Sequence, residues 1–384
     1  MNLRRARIMI VGGNNTAGPL PDLTRFLSAG RAKEVSFIGH PFEDDFERRY
    51  QLLHYRGGRS RQRWTLAREP HWWALSYLWD LLLTTFFILI LRRRHDLYVS
   101  GSPHFGLLGL ILKRLGIVRR TVFWTHDYHP RRFRNPLLNG LYLRLDRLVA
   151  EESDWSWDVV PTIGEHRRER GVRMCRERVL VVGDPLEDKE LASLPAKEVP
   201  AGSILLSGLV KDGYGFDLLV EAIPLVRERN PSARVTVTTY GPFPERLRTL
   251  ISERGLEDCF DLLGFIPDDR EYSQVVQRQR VGLALYEPRT NSHKKYSDSR
   301  VKTYLARGVP VVMTGVSPIA AEIESADAGV IIEYDKEQLV DALLKLLSDD
   351  DFYGRCRENA ITLAEQYRVD RVIPAAFERM GIEP

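Results

Sequence analysis

Apolar residues come in short blocks along the chain, separated by longer stretches in which apolar and polar positions alternate at helical spacing. The first block, RIMIVG (Arg7–Gly12), reads as a buried strand. A glycine-containing loop, GGNNTAG, a helix-like PDLTRFLSAG and a second strand, EVSFIGH, follow it. This β-loop-α-β order suits a nucleotide-binding type of domain. The alternation resumes with DLYVSGS (strand), FGLLGLILKRLG (helix, ended by Gly116) and TVFWTHD (strand). A helix over 137–150 and the strands WDVVPTIG and RVLVVGDP complete the first series. Strands separated by helices imply a parallel sheet covered on both faces. Residues 44–70 are arginine-rich and weakly periodic, and are expected to form an irregular connection exposing Arg56, Arg59, Arg61 and Arg63.

Composition shifts around 195–203 (LPAKEVPAGS), where a linker is expected. A second series then begins with SILLSG and runs through FDLLVEAIPLVRER, RVTVTTYG, ERLRTLISERG, CFDLLGFI, DREYSQVVQRQ and VGLALYEP. SRVKTYLARG, VPVVMTG, a helix from Pro318, the strand AGVIIEY and a helical stretch over 335–365 follow. The expected architecture is α/β, with Rossmann-like domains at 1–195 and 196–365 and a closing segment, 366–384, that packs back on the first. Ligands of such sheets sit at the carboxyl ends of the strands.

One block breaks the pattern. Trp72–Leu91 (WWALSYLWDLLLTTFFILIL) carries a single charge, Asp80, and runs into Arg92, Arg93 and Arg94. It is long enough to cross a bilayer. The strand HDLYVSG follows at once, so a crossing would put parts of one sheet on opposite sides of a membrane. A helix buried against the sheet and a helix partly inserted in a membrane face remain open, the latter favoured by aromatics at one end and arginines at the other.

Charge sharpens the contrast between the halves. The 384 residues carry a net charge of +4, divided as +10 over 1–195 and −6 over 196–384. Within 51–150, 17 basic residues face 5 acidic ones. The first half therefore offers a positive field to an anionic partner. Cys175, Cys259 and Cys356 are too scattered for a disulfide framework or a cysteine zinc site. No signal peptide is visible at the start, so a reducing, cytoplasmic location is expected. The first loop has neither the GxGxxG nor the GxxxxGK[ST] spacing.

Candidate chemistry lies just after the strands. VFWTHDYHP puts His126, Asp127 and His129 at a strand end, where a carboxylate or imidazole accepts a proton; a turn-capping role for Asp127 is the bland alternative. No third ligand set accompanies the histidines, and no metal is expected. The loop Ser207–Asp217 (SGLVKDGYGFD) has glycines that let a phosphate approach the backbone, with Gly208 and Lys211 as candidates. Tyr240 and Gly241 occupy the same position after the next strand, and Phe265 and Ile266 follow the one after, where backbone groups can read a base edge. In YEPRTNSHKKYSDSRVKTYLARGVPVV a strand ends at Tyr286–Glu287 and a helix opens with Ser299, Arg300 and Lys302. Cations and hydroxyls at a helix start suit a diphosphate.

The run GYGFDLLVEAIPLVRERNPSARVTVTTYGPFPERL, with LLGFIPDDREYSQVVQRQRVGLALYEP and KTYLARGVPVVMTG, resembles the donor domain of family 4 glycosyltransferases of GT-B fold. It covers roughly 200–365; over the first half it rests on SGSPHFGLLG, the THD strand end and VLVVGDP. The resemblance implies two Rossmann-like domains facing across a cleft, no metal or cofactor, and a nucleoside diphosphate sugar as co-substrate. The chain departs from that family where Leu209 and Tyr214 replace the basic pair of the phosphate loop. Lys295 and Thr303 likewise replace its glutamate pair. The DSR–K stretch is instead similar to the membrane-associated glucuronosyltransferase of xanthan assembly, an inverting enzyme whose aspartate base Asp127 matches. By this likeness Asp127, with His126, serves the acceptor and Glu287 binds ribose or sugar hydroxyls. The implied partners are a glycolipid or polyprenyl-linked acceptor and an anionic membrane at the cytoplasmic face, without nucleic acid. A nucleotide-sugar epimerase, a nucleic-acid binder using the arginine-rich region and a catalytically dead scaffold are the alternatives.

Overall fold

The computed structural model describes residues 1–13, 18–41, 49–67, 73–126, 128–187, 193–210, 212–239, 245–296 and 301–384. The chain divides into two compact units: Met1–Pro185 with Val369–Pro384, and Leu186–Arg368. The division falls ahead of the stretch where composition shifts, and the closing residues belong to the first unit.

The first unit is built on β1 (Arg7–Gly13), β2 (Glu34–His40), β3 (Arg49–Arg56), β4 (Arg59–Ala67), β5 (His95–Ser100), β6 (Val118–Thr125), β7 (Trp155–Asp158) and β8 (Val179–Val181). They form one sheet in the order β4-β3-β2-β1-β5-β6-β7-β8. Its helices are α1 (Pro19–Ser28), α2 (Trp73–Leu91), α3 (Pro103–Arg114), α4 (Pro136–Glu152) and α5 (Pro161–Glu169). All neighbouring pairs are parallel except β2–β3 and β3–β4.

That exception corrects the expected irregular connection over 44–70. Tyr50, Leu52 and His54 alternate inward along β3. Gly57 and Gly58 turn the chain with φ of 56° and 75°, the pair of positive angles a two-residue hairpin requires. Arg56 and Arg59 pair across the strands beside this turn, both exposed, and Arg56 reaches buried Glu34 at 3.5 Å; charge on an edge hairpin discourages further strand pairing.

Helix α2 lies on the sheet as a helix with two faces. Phe87, Ile88 and Leu91 are buried with Met9, Ile38 and Leu52, while its outer residues face solvent. Among the described residues no helix is long and apolar enough to cross a membrane.

The second unit holds β9 (Ser203–Gly208), β10 (Arg234–Thr239), β11 (Phe260–Gly264), β12 (Val281–Ala284), β13 (Val311–Thr314) and β14 (Gly329–Ile332). They pair in the order β11-β10-β9-β12-β13-β14, every pair parallel. The helices are α6 (Phe216–Arg229), α7 (Glu245–Glu253), α8 (Asp269–Gln277), α9 (Val301–Leu305), α10 (Ile319–Ser325), α11 (Lys336–Ser348) and α12 (Asp350–Ala364). Ile204, Val235, Val237 and Val281 are fully buried, as continuous apolar strands of a doubly covered parallel sheet should be. The stretch 335–365 is two helices: Asp349 closes α11 and caps α12 through the Phe352 amide at 2.8 Å. A last helix, α13 (Val369–Arg379), packs back in the first unit, with Phe377 edge-on to Trp157 at 5.6 Å.

Candidate functional site

In the second sheet the strands leave the middle in opposite directions between β9 and β12. Such a reversal opens a crevice at the carboxyl ends of the two strands, where α/β sheets bind ligands. The residues there are packed to bring two loops together. After Gly208 (φ 119°) the chain returns through Gly213 (φ 78°) and Gly215 (φ 83°) into α6. A Cβ on Gly213 would overlap Thr290 Oγ1 and stand 2.8 Å from Asn291 Nδ2. One on Gly215 would overlap Leu285 Cβ and stand 2.8 Å from its carbonyl oxygen. Only glycine meets both the left-handed angle and this approach. The Gly213 carbonyl accepts from the Glu287 amide (2.9 Å) and from Asn291 Nδ2 (2.6 Å), so the loop after β9 is tied to the loop after β12. Gly215 caps α6 without a side-chain bond, leaving first-turn amides directed at this end of the sheet.

Glu287 is half-buried at the end of β12. Its Oε2 accepts from Thr290 Oγ1 at 2.8 Å and its Oε1 from Arg289 at 3.2 Å. Thr314 in turn bonds the backbone of Tyr286 on both sides, at 2.9 Å each, which fixes the strand end. Beside it the Tyr214 and Tyr286 rings meet edge-on at 5.6 Å. The Lys294 ammonium lies 5.5 Å and 5.1 Å from their centroids, within cation–π range. Burial, with Tyr286 next to it, pushes the Tyr214 phenol up to about 12, so it is a neutral hydroxyl. It lies 3.4 Å from His293 Nε2. A second polar group joins β9 to β10: Thr238 Oγ1 donates to Ser207 Oγ (2.7 Å), which is 3.0 Å from the Tyr272 hydroxyl.

Sequence reasoning had Gly208 and Glu287 at this place and missed Gly213 and Gly215 as separate requirements. It also missed Tyr214, Tyr286 and Lys294. Positive-φ glycines in a strand-to-helix turn were a usable signal; the aromatic pair was not, because its members are far apart in sequence. Phe265 and half-buried Ile266 follow β11, two strands from β9, with Phe265 39% exposed. Lys302 is placed otherwise than expected: it is buried in α9 with its ammonium 4.1 Å from the Tyr367 ring centroid. Lys211, Tyr240, Gly241, Ser299 and Arg300 lie outside the described residues, as does Asp127.

Asp127's neighbours are described, and they are firmly held. His126 stands at the end of β6, its ring 4.9 Å from Trp124 and against Gly101, which follows β5. Arg167 of α5 is fully buried. It donates to Asp146 (2.6 and 3.0 Å), to Asp158 (2.7 Å) and to Thr125 Oγ1 (2.9 Å). Its guanidinium is 5.3 Å from the Tyr128 ring. Thr125 and Tyr128 stand on either side of residues 126–127 in sequence, and the one buried cation contacts both. Two carboxylates share it, and burial pushes Asp158 up to about 6. Among the described residues no group of three or more histidine, cysteine or acidic side chains is arranged to hold a metal ion.

Residues 201–349 match the family described as "Glycosyl transferases group 1". Over 247 residues, 62% of this chain and 58% of the relative, the sequence is 24% identical to the putative colanic acid biosynthesis glycosyltransferase WcaL of Escherichia coli K12. The Salmonella typhimurium LT2 protein of the same description is 25% identical over 74% of this chain and 70% of its own. The match thus spans less than two thirds of the E. coli relative. Among solved structures, the fold is similar to Anabaena HepE in complex with UDP, with a TM-score of 0.69, 15% identity and coverage of 98% and 99% of the two chains. It is also similar to sucrose-phosphate synthase of Thermosynechococcus elongatus, with a TM-score of 0.72, 14% identity and the same coverage. The chain has the GT-B fold, and its residues 201–349 match a group 1 glycosyltransferase domain.

Proposed function

We propose that the protein transfers a sugar from a nucleoside diphosphate sugar, with a UDP-sugar favoured, to a lipid-linked or polysaccharide-precursor acceptor. The observation that carries this reading is the glycine loop pressed against the Leu285–Asn291 loop at the strand reversal, with the uncapped start of α6 beside it. A diphosphate accepts hydrogen bonds from backbone amides in such a place. Support for uridine as the base comes from the related fold of HepE, which was solved with UDP and with UDP-glucose.

In this reading the acceptor hydroxyl attacks the anomeric carbon, the bond from that carbon to the diphosphate oxygen breaks, and the nucleoside diphosphate leaves. Asp127 takes the hydroxyl proton if configuration inverts, and Arg167 contacts Thr125 and Tyr128 on either side of it in sequence. Ser299, Arg300 and the Gly208–Lys211 loop stabilise the charge that develops on the departing diphosphate. Glu287, already oriented by Thr290, accepts hydrogen bonds from ribose or sugar hydroxyls. The acceptor reaches the first unit from the cytoplasmic face of a membrane to which the protein is peripherally attached.

Calorimetric titration with UDP, followed by turnover assays, tests the reading. Wild type should bind UDP. Arg300→Ala should lose transfer by at least about a hundredfold, the scale of one oxyanion-stabilising donor, while staying folded. Wild-type turnover in Arg300→Ala, or no heat with UDP, GDP or ADP, rejects the donor site. Asp127→Asn should keep UDP binding and lose turnover; an unchanged rate removes it as the base. Consumption of donor in the absence of any acceptor would point to an epimerase.

A further inference from the structure

Helices α2, α3 and α4 form one layer on the first sheet, joined through aromatic contacts. Tyr77 of α2 is edge-on to His104 of α3 at 4.9 Å and 6.5 Å from Phe133, which meets Tyr142 of α4 at 6.0 Å. The outer surface of this layer is apolar to an extent the core does not require. Every exposed side chain among the described ones of α2 is apolar: Leu78, Trp79, Leu82, Phe86 and Leu89. Leu82 is 57% and Leu89 61% exposed. At ~100° per residue these five fall within an arc of about 100°. On α4, Leu137 is 83% and Leu141 63% exposed, and Leu148 continues the same line. Ile111 and Leu115 lie at the outer end of α3 between them.

The charges on this surface are nearly all of one sign. Arg144 stands in the leucine line of α4, between Leu141 and Leu148, and is exposed. Arg131 and Arg134 precede that helix, and Arg92 and Arg94 end α2, all exposed. The described acidic side chains are turned away or used: Asp80 faces His40 at 3.4 Å, Asp146 holds Arg167, and Glu151 pairs with Arg147 at 3.0 Å. Glu152 alone is exposed, at the end of α4. A second copy docked by this same face would set arginine against arginine. An anionic bilayer surface accepts both features, with leucine and aromatic tips below the headgroups and arginines at their level.

We propose that the α2–α4 face is the membrane-landing surface of the protein, seated on anionic lipid through Leu78, Trp79, Leu82, Phe86, Leu137 and Leu141. The proposal rests on the membrane-borne acceptor of the reading above and adds where the bilayer lies. α4 begins at Pro136, seven positions after His129, so a lipid-linked acceptor would arrive on the helix layer that the chain enters soon after the carboxyl end of β6.

Vesicle flotation tests it on the full chain, using phosphatidylcholine alone and phosphatidylcholine with phosphatidylglycerol, at low and high salt. Wild type should float only with the mixed vesicles and lose binding as salt rises. Leu82→Glu with Phe86→Glu, and separately Leu137→Glu with Leu141→Glu, should each weaken binding about tenfold or more. Arg144→Ala should weaken it about fivefold. All these positions are exposed, and UDP titration of the same preparations checks that each variant is folded. Flotation of the variants equal to wild type overturns the proposal. So does equal binding to neutral vesicles, or a dimer by light scattering that the leucine variants dissolve. A protein that binds UDP but never floats refutes this surface and leaves the donor reading standing; one that floats but binds no nucleotide does the reverse.

Discussion

Arg167 shows how much of the first unit turns on a single side chain. It has no access to solvent, and its guanidinium makes hydrogen bonds to two carboxylates and a threonine hydroxyl. Removing one partner of a buried ionic group leaves the others uncompensated and commonly costs about 3–5 kcal/mol. Arg167→Met should therefore lower the stability of the first unit by that amount, read by denaturant unfolding. Because Thr125 and Tyr128 lose their anchor, it should also lower kcat more than it raises the donor KM. An unchanged kcat in a variant that is only less stable would confine Arg167 to a structural part. Nothing in the sequence marked this residue: one arginine among many reads as surface charge until the fold encloses it. Asp127 stands out in the sequence because it comes two residues after an apolar strand. Arg167 does not, because its partners Thr125, Asp146 and Asp158 lie on three different elements.

At the scale of elements, legibility followed burial. Strands buried on both faces, such as β1, β5 and β9, stand out as unbroken apolar blocks, and the helices between them follow at their own period. The β3–β4 hairpin was hidden because β3 buries only alternate residues and its turn is bracketed by exposed Arg56 and Arg59. The site divides the same way. The turn after β9 was visible as glycines, but what fixes it is the loop after β12, about 70 residues further along. That pairing makes the two loops one mechanical element. Gly215→Ala should break it: the residue has φ of 83° and a Cβ would overlap Leu285. The left-handed angle alone costs about 1 kcal/mol in a non-glycine residue, and overpacking adds about 1–3 kcal/mol. UDP affinity should fall at least tenfold in calorimetry while the first unit keeps its unfolding transition. Normal UDP affinity in this variant would mean that the nucleotide does not use the turn.

For the whole molecule, the ionisable groups are unevenly shared. Of the 9 histidines, only His293 belongs to the second unit. In the first unit burial lowers His40 and His54 and pushes His95 to about 4 and His104 to about 3, from an ordinary value of 6.5. Each of these imidazoles takes up a proton less readily in the fold than in the unfolded chain. Below pH 6.5 the unfolded chain therefore binds more protons, and stability falls as pH drops from about 6.5 towards 4. Asp158 works in the opposite direction, since its raised value adds stability at low pH that is lost as pH rises through about 6. One carboxyl does not offset four imidazoles. Hydrogen exchange at pH 7 and pH 5 should show the first unit opening well before the second. Equal protection in both units at pH 5 would contradict this account.

The return of α13 to the first unit has a consequence for biogenesis. Emerging from a ribosome, residues 1–185 have no Phe377 to set against Trp157 and no Glu383 to pair beside Leu3. The second unit, Leu186–Arg368, is made entirely within that interval. The half translated first is thus the half completed last. A nascent chain stalled just after residue 368 should present a finished second unit and an unsealed first unit for chaperones to guard.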